Sequence, residues 1–107
     1  MSGNKHNIYI DQGSLFTKRV EIRDRLNVSI DLSPFTFAGQ LRESFRATDF
    51  IPFDIIADGT YLTFSLTHEV TEDLDDKKYV YDIEMFDGDN MYRILEGQAI
   101  VSPEVTR

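Results

Sequence analysis

The clearest β-strand signal in the chain is Asp58-Gly59-Thr60-Tyr61-Leu62-Thr63-Phe64-Ser65-Leu66. Leu62, Phe64 and Leu66 fall on one side of a strand, because successive strand residues point to opposite faces. The Asp-Gly pair predicts a tight turn before the strand, since the favoured hairpin turns need residues that tolerate positive φ. We therefore expect a hairpin whose second strand lines an apolar interior.

The same alternation recurs on both sides of this stretch, with turn residues between the alternating segments. Lys18 is a charged residue on an otherwise apolar strand face, and Pro52 favours an edge strand because proline lacks an N–H. Gly97 predicts a bulge, and Gly39 predicts either a bulge or a close backbone approach. Predicted strands cover residues 7–11, 15–23, 28–32, 35–42, 51–55, 61–66, 79–85 and 91–101. Seven or eight short strands with regular turns predict an all-β sandwich or barrel, formed as a single domain over residues 1–107.

Two segments depart from the strand pattern. Val70 and Leu74 are four residues apart, which suits one short helical turn with Thr67 or Thr71 as its N-cap. Residues 1–6 are polar, and we expect them to form a flexible N-terminal arm.

Composition limits the class of protein. The chain has 107 residues, no cysteine, and 11 Lys+Arg against 19 Asp+Glu, for a formal charge of −8. Its length suits one domain, its 41% apolar content suits a packed core, and its polar start does not resemble a signal peptide. We expect no membrane span and no nucleic-acid surface. Residues 1–53 carry seven basic and six acidic side chains, whereas residues 54–107 carry four and thirteen, an asymmetry that suits contact with unlike neighbours.

No pattern in the sequence predicts catalysis or a cofactor. His6 and His68 lack the nucleophile and orienting acid that a catalytic triad requires, and His68-Glu69 lacks the second histidine of a zinc-protease motif. The acidic segments 72–76 and 87–90 do not match the EF-hand pattern, and hairpin geometry accounts for the second. We expect no enzyme activity, no cofactor and no metal.

The C-terminal third carries a family resemblance. The segment from Arg93 to Thr106 has the pattern R-x-L-x-G followed by V-x-P-x-V-T, after the strand Tyr79-Val80-Tyr81-Asp82-Ile83-Glu84. With Asn7–Gly13 near the start and Gly39-Gln40-Leu41-Arg42 in the middle, it resembles small virion proteins of tailed bacteriophages. The chain is also similar to the N-terminal attachment domain of phage baseplate proteins, although Ser33-Pro34 replaces the Thr-Gly turn of that group.

The resemblance implies an immunoglobulin-like antiparallel β-sandwich that serves as a structural part of a phage particle, at the tail, baseplate or neck. Two alternatives stay open: a capsid decoration protein, or a receptor- or carbohydrate-binding module on the virion surface. It implies other virion proteins as partners, a homo-oligomer or a place in a symmetric assembly, and a location in the virion after production in the host cytoplasm. It carries over no catalytic residue.

The residues themselves indicate where partners would bind. Phe50 and Ile51 are adjacent and must point to opposite faces of a strand, so Phe50, Ile51 and Phe53 are the candidate interface residues. The alternative is that Phe50 folds over the sandwich edge and closes the core. Arg93 is expected to pair with Asp82 or Glu84 on the facing strand.

Overall fold

The computed structural model describes residues 4–103, which form nine strands and one short helix. The strands are β1 (Asn4–Lys5), β2 (Ile8–Asp11), β3 (Phe16–Glu21), β4 (Thr36–Arg42), β5 (Ile51–Pro52), β6 (Asp54–Asp58), β7 (Tyr61–Leu66), β8 (Lys78–Asp87) and β9 (Asn90–Ser102). Helix α1 (His68–Glu72) follows β7, and of the two predicted candidates, Thr67 and Thr71, it is Thr67 that forms the N-cap.

The strands form two sheets that pack as a sandwich, which confirms the predicted all-β fold. The small sheet has the order β3-β7-β6, and the large sheet has the order β1-β9-β8-β4-β5, with β2 also paired to β9. The pairings are antiparallel except at β1 and β2, which run parallel to β9.

The predicted strand register is confirmed by the core. Leu62, Phe64 and Leu66 of the small sheet are buried together with Tyr81, Ile83 and Leu95 of the large sheet. The rings of Phe64 and Tyr81 stack with their centroids 6.1 Å apart. Gly39 marks a close approach rather than a bulge, because a Cβ there would lie 2.6 Å from Cδ1 of Ile83.

The sequence predicts a flexible arm over residues 1–6; in the structure residues 4–6 pair with β9, and residues 1–3 lie outside the described part of the chain. Strand β1 pairs with Leu95 and Glu96, and the His6 N–H donates to the Glu96 carbonyl at 2.8 Å. The Tyr81 hydroxyl donates to the His6 carbonyl. Gly97 makes room for this segment, since a Cβ there would collide with the His6 carbonyl oxygen. The bulge predicted at Gly97 lies instead at Ile94, opposite the step from Ile83 to Glu84.

Two predicted strands differ from the observed ones. Residues 28–32 do not form a strand but belong to a folded loop with one bridge, between Arg23 and Ser29. The predicted strand 51–55 is divided between β5 in the large sheet and β6 in the small sheet. The chain crosses from one sheet to the other at Phe53, whose N–H donates to the Gly39 carbonyl at 3.0 Å.

The connections gather at two opposite ends of the sandwich. The turn end has the connections 22–35, 59–60 and 88–89, and the helix end has 12–15, 43–50 and 67–77. The molecule measures 45 × 28 × 21 Å. The 13 residues of β9 would extend for about 43 Å, so the long dimension follows the strands and separates the two ends.

Candidate interaction site

An open groove of about 460 Å³ lies at the helix end, between the connection 43–50 and the segment that follows α1. We call it the acid-rimmed groove. Its large apolar side chains are Leu41, Phe50, Ile51, Leu74 and Tyr79, its carboxylates are Glu43, Asp49, Asp73 and Asp75, and its one basic residue is Arg42. Apolar lining with a charged border is the usual composition of a protein-binding surface, in which desolvated apolar groups give affinity and charges give orientation.

Hydrogen bonds fix the wall of the groove that follows α1. The Thr67 hydroxyl accepts from the Val70 N–H at 3.4 Å and caps the helix. Thr71 is fully buried, and its hydroxyl donates to the Ser14 carbonyl at 2.8 Å. The Gln12 side chain donates to the Leu74 carbonyl at 2.6 Å. The turn between β2 and β3 therefore supports α1 and the groove residue Leu74.

Lys77 links the two walls of the groove. Its ammonium donates to the Glu43 carboxylate across the groove and lies 3.9 Å from a carboxylate oxygen of Asp75. The hydrogen bond to Glu43 is the main cause that raises the pKa of Lys77 above its ordinary value. Within residues 4–103, Asp49 and Asp73 have no ion-pair partner, so these two carboxylates are available to a partner.

The structure separates the three candidate interface residues. Phe50 is 49% exposed at the border of the groove, and Ile51 is half-buried in β5 against the core. The assignment of Phe53 to an interface is wrong, because its side chain is only 6% exposed. It contacts the ring of Phe64 edge-on with centroids 5.4 Å apart, because the chain crosses between the sheets at that position.

Sequence reasoning missed one exposed aromatic residue of this region. Phe45 is 61% exposed in the same connection as Phe50. Its sequence context indicates exposure. Phe45 lies in the polar segment Glu43-Ser44-Phe45-Arg46, between two predicted strands, and its immediate neighbours are polar.

Arg93 forms the expected ion pairs on the outer face of the large sheet. Its guanidinium lies 3.9 Å from Asp82, 3.7 Å from Glu84 and 3.6 Å from Glu96. These three carboxylates are largely buried by neighbouring side chains, so Arg93 offsets charges that would otherwise repel one another. The cluster lies on the sheet face, away from the acid-rimmed groove at the helix end.

A second groove of about 460 Å³ lies between β2 and β3, where Tyr9 and Leu15 are exposed. In the described residues β3 is an edge strand, and Lys18 is half-buried on its inward side. An inward lysine on an edge strand opposes the addition of a further strand, which explains the charged residue in the β3 pattern.

The histidines and carboxylates do not converge on one site. His6 lies between β1 and β2, and His68 is exposed on α1, where its Nε2 is 3.5 Å from a carboxylate oxygen of Glu69. Among residues 4–103, no group of three or more His, Asp or Glu side chains is placed to hold a metal ion. The same residues contain no helix that is long and apolar enough to cross a membrane.

The acid-rimmed groove is therefore the candidate site. Comparison of the chain with protein-family models and with curated proteins found no match.

Proposed function

We propose that this domain is a non-enzymatic structural component of a tailed phage particle, which assembles through protein–protein contacts at the tail, baseplate or neck. The observation that carries the proposal is the acid-rimmed groove with Phe50 exposed at its border. The assignment to a phage particle rests on the resemblance of the segment from Arg93 to Thr106 to virion proteins.

The groove suits a partner protein better than a small molecule. It is open, and its aromatic residue Phe50 stands at the border rather than in an enclosed cavity. Exposed aromatic residues that become desolvated in a complex commonly supply much of the binding energy. Asp49 and Asp73 would then orient a partner that carries basic side chains, since unlike charges raise the association rate and fix the register.

The test is incorporation of the variant Phe50→Asp into particles. A carboxylate at this position would have to be desolvated on binding, so we expect much less of the domain in purified particles, measured by quantitative mass spectrometry. Ile56→Asp is the matched control, because Ile56 is also exposed but lies on the small sheet, away from the groove. Both variants should melt within a few degrees of the wild type, since surface substitutions rarely cost more than about 0.5 kcal/mol.

Normal incorporation of Phe50→Asp would contradict the proposal that the groove attaches the domain. The site of attachment separates the alternatives: labelled antibody on the tail, baseplate or neck supports the proposal, whereas label over the head would identify a capsid decoration protein. If the wild type binds to a glycan array and Phe50→Asp binds equally well, a carbohydrate-binding module would be favoured instead.

A further inference from the structure

The turn end carries an exposed apolar loop that we call the apolar tip, residues 24–28. Leu26 is 83% exposed and Val28 is 56% exposed. Side chains of this size at the end of a loop leave apolar area in water, which contact with a partner would remove.

Hydrogen bonds hold the apolar tip in one conformation. One carboxylate oxygen of Asp24 accepts from the N–H of Leu26 at 2.9 Å and from the N–H of Val28 at 3.0 Å. Asn27 adopts a positive φ of 65°, and the Arg23 guanidinium donates to its carbonyl at 2.9 Å. A loop that is ordered before binding loses less conformational entropy on binding.

The base of the tip is also ordered. The Glu21 carboxylate accepts from the hydroxyl of Ser29 at 3.0 Å and from that of Thr60 at 3.1 Å, and it lies 2.5 Å from Arg23. These bonds join the apolar tip to the adjoining turn between β6 and β7. The tip is thus a fixed projection from the sandwich.

One charge of the tip, that of Arg25, is opposite in sign to the carboxylates of the acid-rimmed groove. Asp24 uses its carboxylate within the loop, and Arg23 pairs with Glu21. Arg25 is exposed and has no ion pair within the described residues, just as Asp49 and Asp73 in the groove have none. Arg25 therefore flanks the apolar projection, and Asp49 and Asp73 border the groove, which Arg42 also lines. The adjoining turns at the tip's end carry Asp58, Asp87 and Asp89, which likewise have no ion pair within the described residues.

We propose that the apolar tip of one copy binds in the acid-rimmed groove of a second copy. The inference rests on the proposed function of the groove and names its occupant: Leu26 and Val28 would contact Phe50 and Ile51, and Arg25 would pair with Asp49 or Asp73.

The position of the two surfaces determines the kind of assembly. They lie at opposite ends of the long axis, so one contact leaves a free tip on one copy and a free groove on the other. Such head-to-tail contacts produce a ring if the rotation closes and a filament if it does not.

The size of the ends limits the strength of a single contact. A cross-section of 28 × 21 Å allows an interface near the lower limit for specific complexes, about 1,200 Å² in total. We therefore expect concentration-dependent self-association of the isolated protein, with ring closure or a scaffold adding strength inside an assembly.

Self-association is measured by sedimentation velocity of the 107-residue protein at concentrations up to about 1 mM, where weak contacts are populated. Wild type and Ile56→Asp should form oligomers whose size increases with concentration. Leu26→Asp places a charge on the apolar tip, and Phe50→Asp places one at the border of the groove. Each variant alone should therefore remain monomeric. Both positions are exposed, and melting curves verify that the variants are folded.

Mixing the two variants provides the decisive comparison. Leu26→Asp retains an intact groove and Phe50→Asp retains an intact tip, so the mixture should form a one-to-one dimer that cannot grow further. A monomeric wild type would overturn the inference. Failure of the mixture to form the dimer, while wild type associates, would also overturn it, because that result indicates a symmetric contact.

Particle incorporation and self-association together distinguish failure of this inference from failure of the proposed function. If Phe50→Asp is lost from particles while Leu26→Asp is incorporated normally and wild type is monomeric, another protein fills the groove. That result would overturn the second-copy inference and leave the structural role supported.

Discussion

The two ends of the sandwich expose apolar side chains by different means. At the turn end, hydrogen bonds within one short segment, from Asp24 and Arg23, hold the apolar tip. At the helix end, Phe50 borders a groove whose walls come from separate parts of the chain, joined by the bonds of Thr71 and Gln12. The stability of a loop held by local hydrogen bonds depends mainly on its own segment, whereas the stability of the groove depends on every segment that forms its walls. The helix end should therefore be the more easily disturbed of the two.

The largest effect should come from the core that both ends share. The Phe64 ring packs against Phe16, Phe53 and Tyr81, with centroid distances of 5.4–6.1 Å. Phe64→Ala should lower the free energy of unfolding by about 3–5 kcal/mol, because it leaves a cavity between the sheets. Denaturant titration measures this loss. A loss below about 1 kcal/mol would mean that the ring adds little to the core.

Phe64→Ala also tests the comparison between the ends. Hydrogen exchange should accelerate earlier and more strongly in segment 67–77 than in the apolar tip, because the tip keeps its own hydrogen bonds. Equal acceleration at both ends would show that the tip depends on the core as much as the groove does.

An intermediate effect is expected from Thr71, which acts on the helix end alone. Thr71→Val keeps the shape of the buried side chain but leaves the part-buried Ser14 carbonyl without its hydroxyl donor. A buried polar group without a partner costs about 1–3 kcal/mol. Chemical denaturation should show that loss, and exchange should increase near α1 but not near Asn27. Thr63→Val, on the half-buried outer side of β7, is the matched control and should cost little.

Strand alternation predicted most of the fold because one side of each long strand faces the core. It succeeded for β7 and β8, whose buried residues alternate strictly or nearly so. It failed where a nonlocal pairing decides the structure: the β1 segment reads as polar, yet Glu96 and Tyr81 bind the backbone at His6. No local pattern reports such a bond.

The candidate site was only partly predictable for the same physical reason. The sequence pattern marks Phe50 and Phe53 alike as candidate interface residues and leaves open whether Phe50 closes the core, yet Phe50 is exposed and Phe53 lies in the core. What separates them is the crossing between the sheets after Pro52, which the antiparallel pairs of β4 with β5 and of β6 with β7 determine. The tip was missed because Val28, Ile30 and Leu32 alternate like a strand, whereas Asp24 binds the backbone N–H of Val28 and folds the segment into a loop.

The smallest effect is expected at the turn end, from the protonation of Glu21. The hydrogen bond from Ser29 is the main cause that lowers the pKa of this carboxyl below its ordinary value, and Arg23 and Thr60 act in the same direction. A group whose pKa is lower in the folded state stabilises that state above its unfolded pKa, and the contribution disappears as the pH falls through the folded pKa. Glu21 should therefore stabilise the fold at neutral pH and lose this contribution as the pH falls below the ordinary pKa of 4.5 and through the lower pKa of the folded state.

Melting temperatures measured between pH 7 and pH 2.5 test this contribution. Glu21→Gln removes the titrating group, so the variant should melt slightly lower than wild type at pH 7 and at the same temperature at pH 2.5. Glu72→Gln, exposed at the end of α1, is the matched control for loss of one negative charge. If Glu21→Gln and Glu72→Gln shift the curve equally, the hydrogen bonds beneath the tip contribute nothing beyond net charge. A shift specific to Glu21, accompanied by faster exchange at Leu26 and Val28 in acid, would show that the hydrogen bonds at the base of the tip help to hold it.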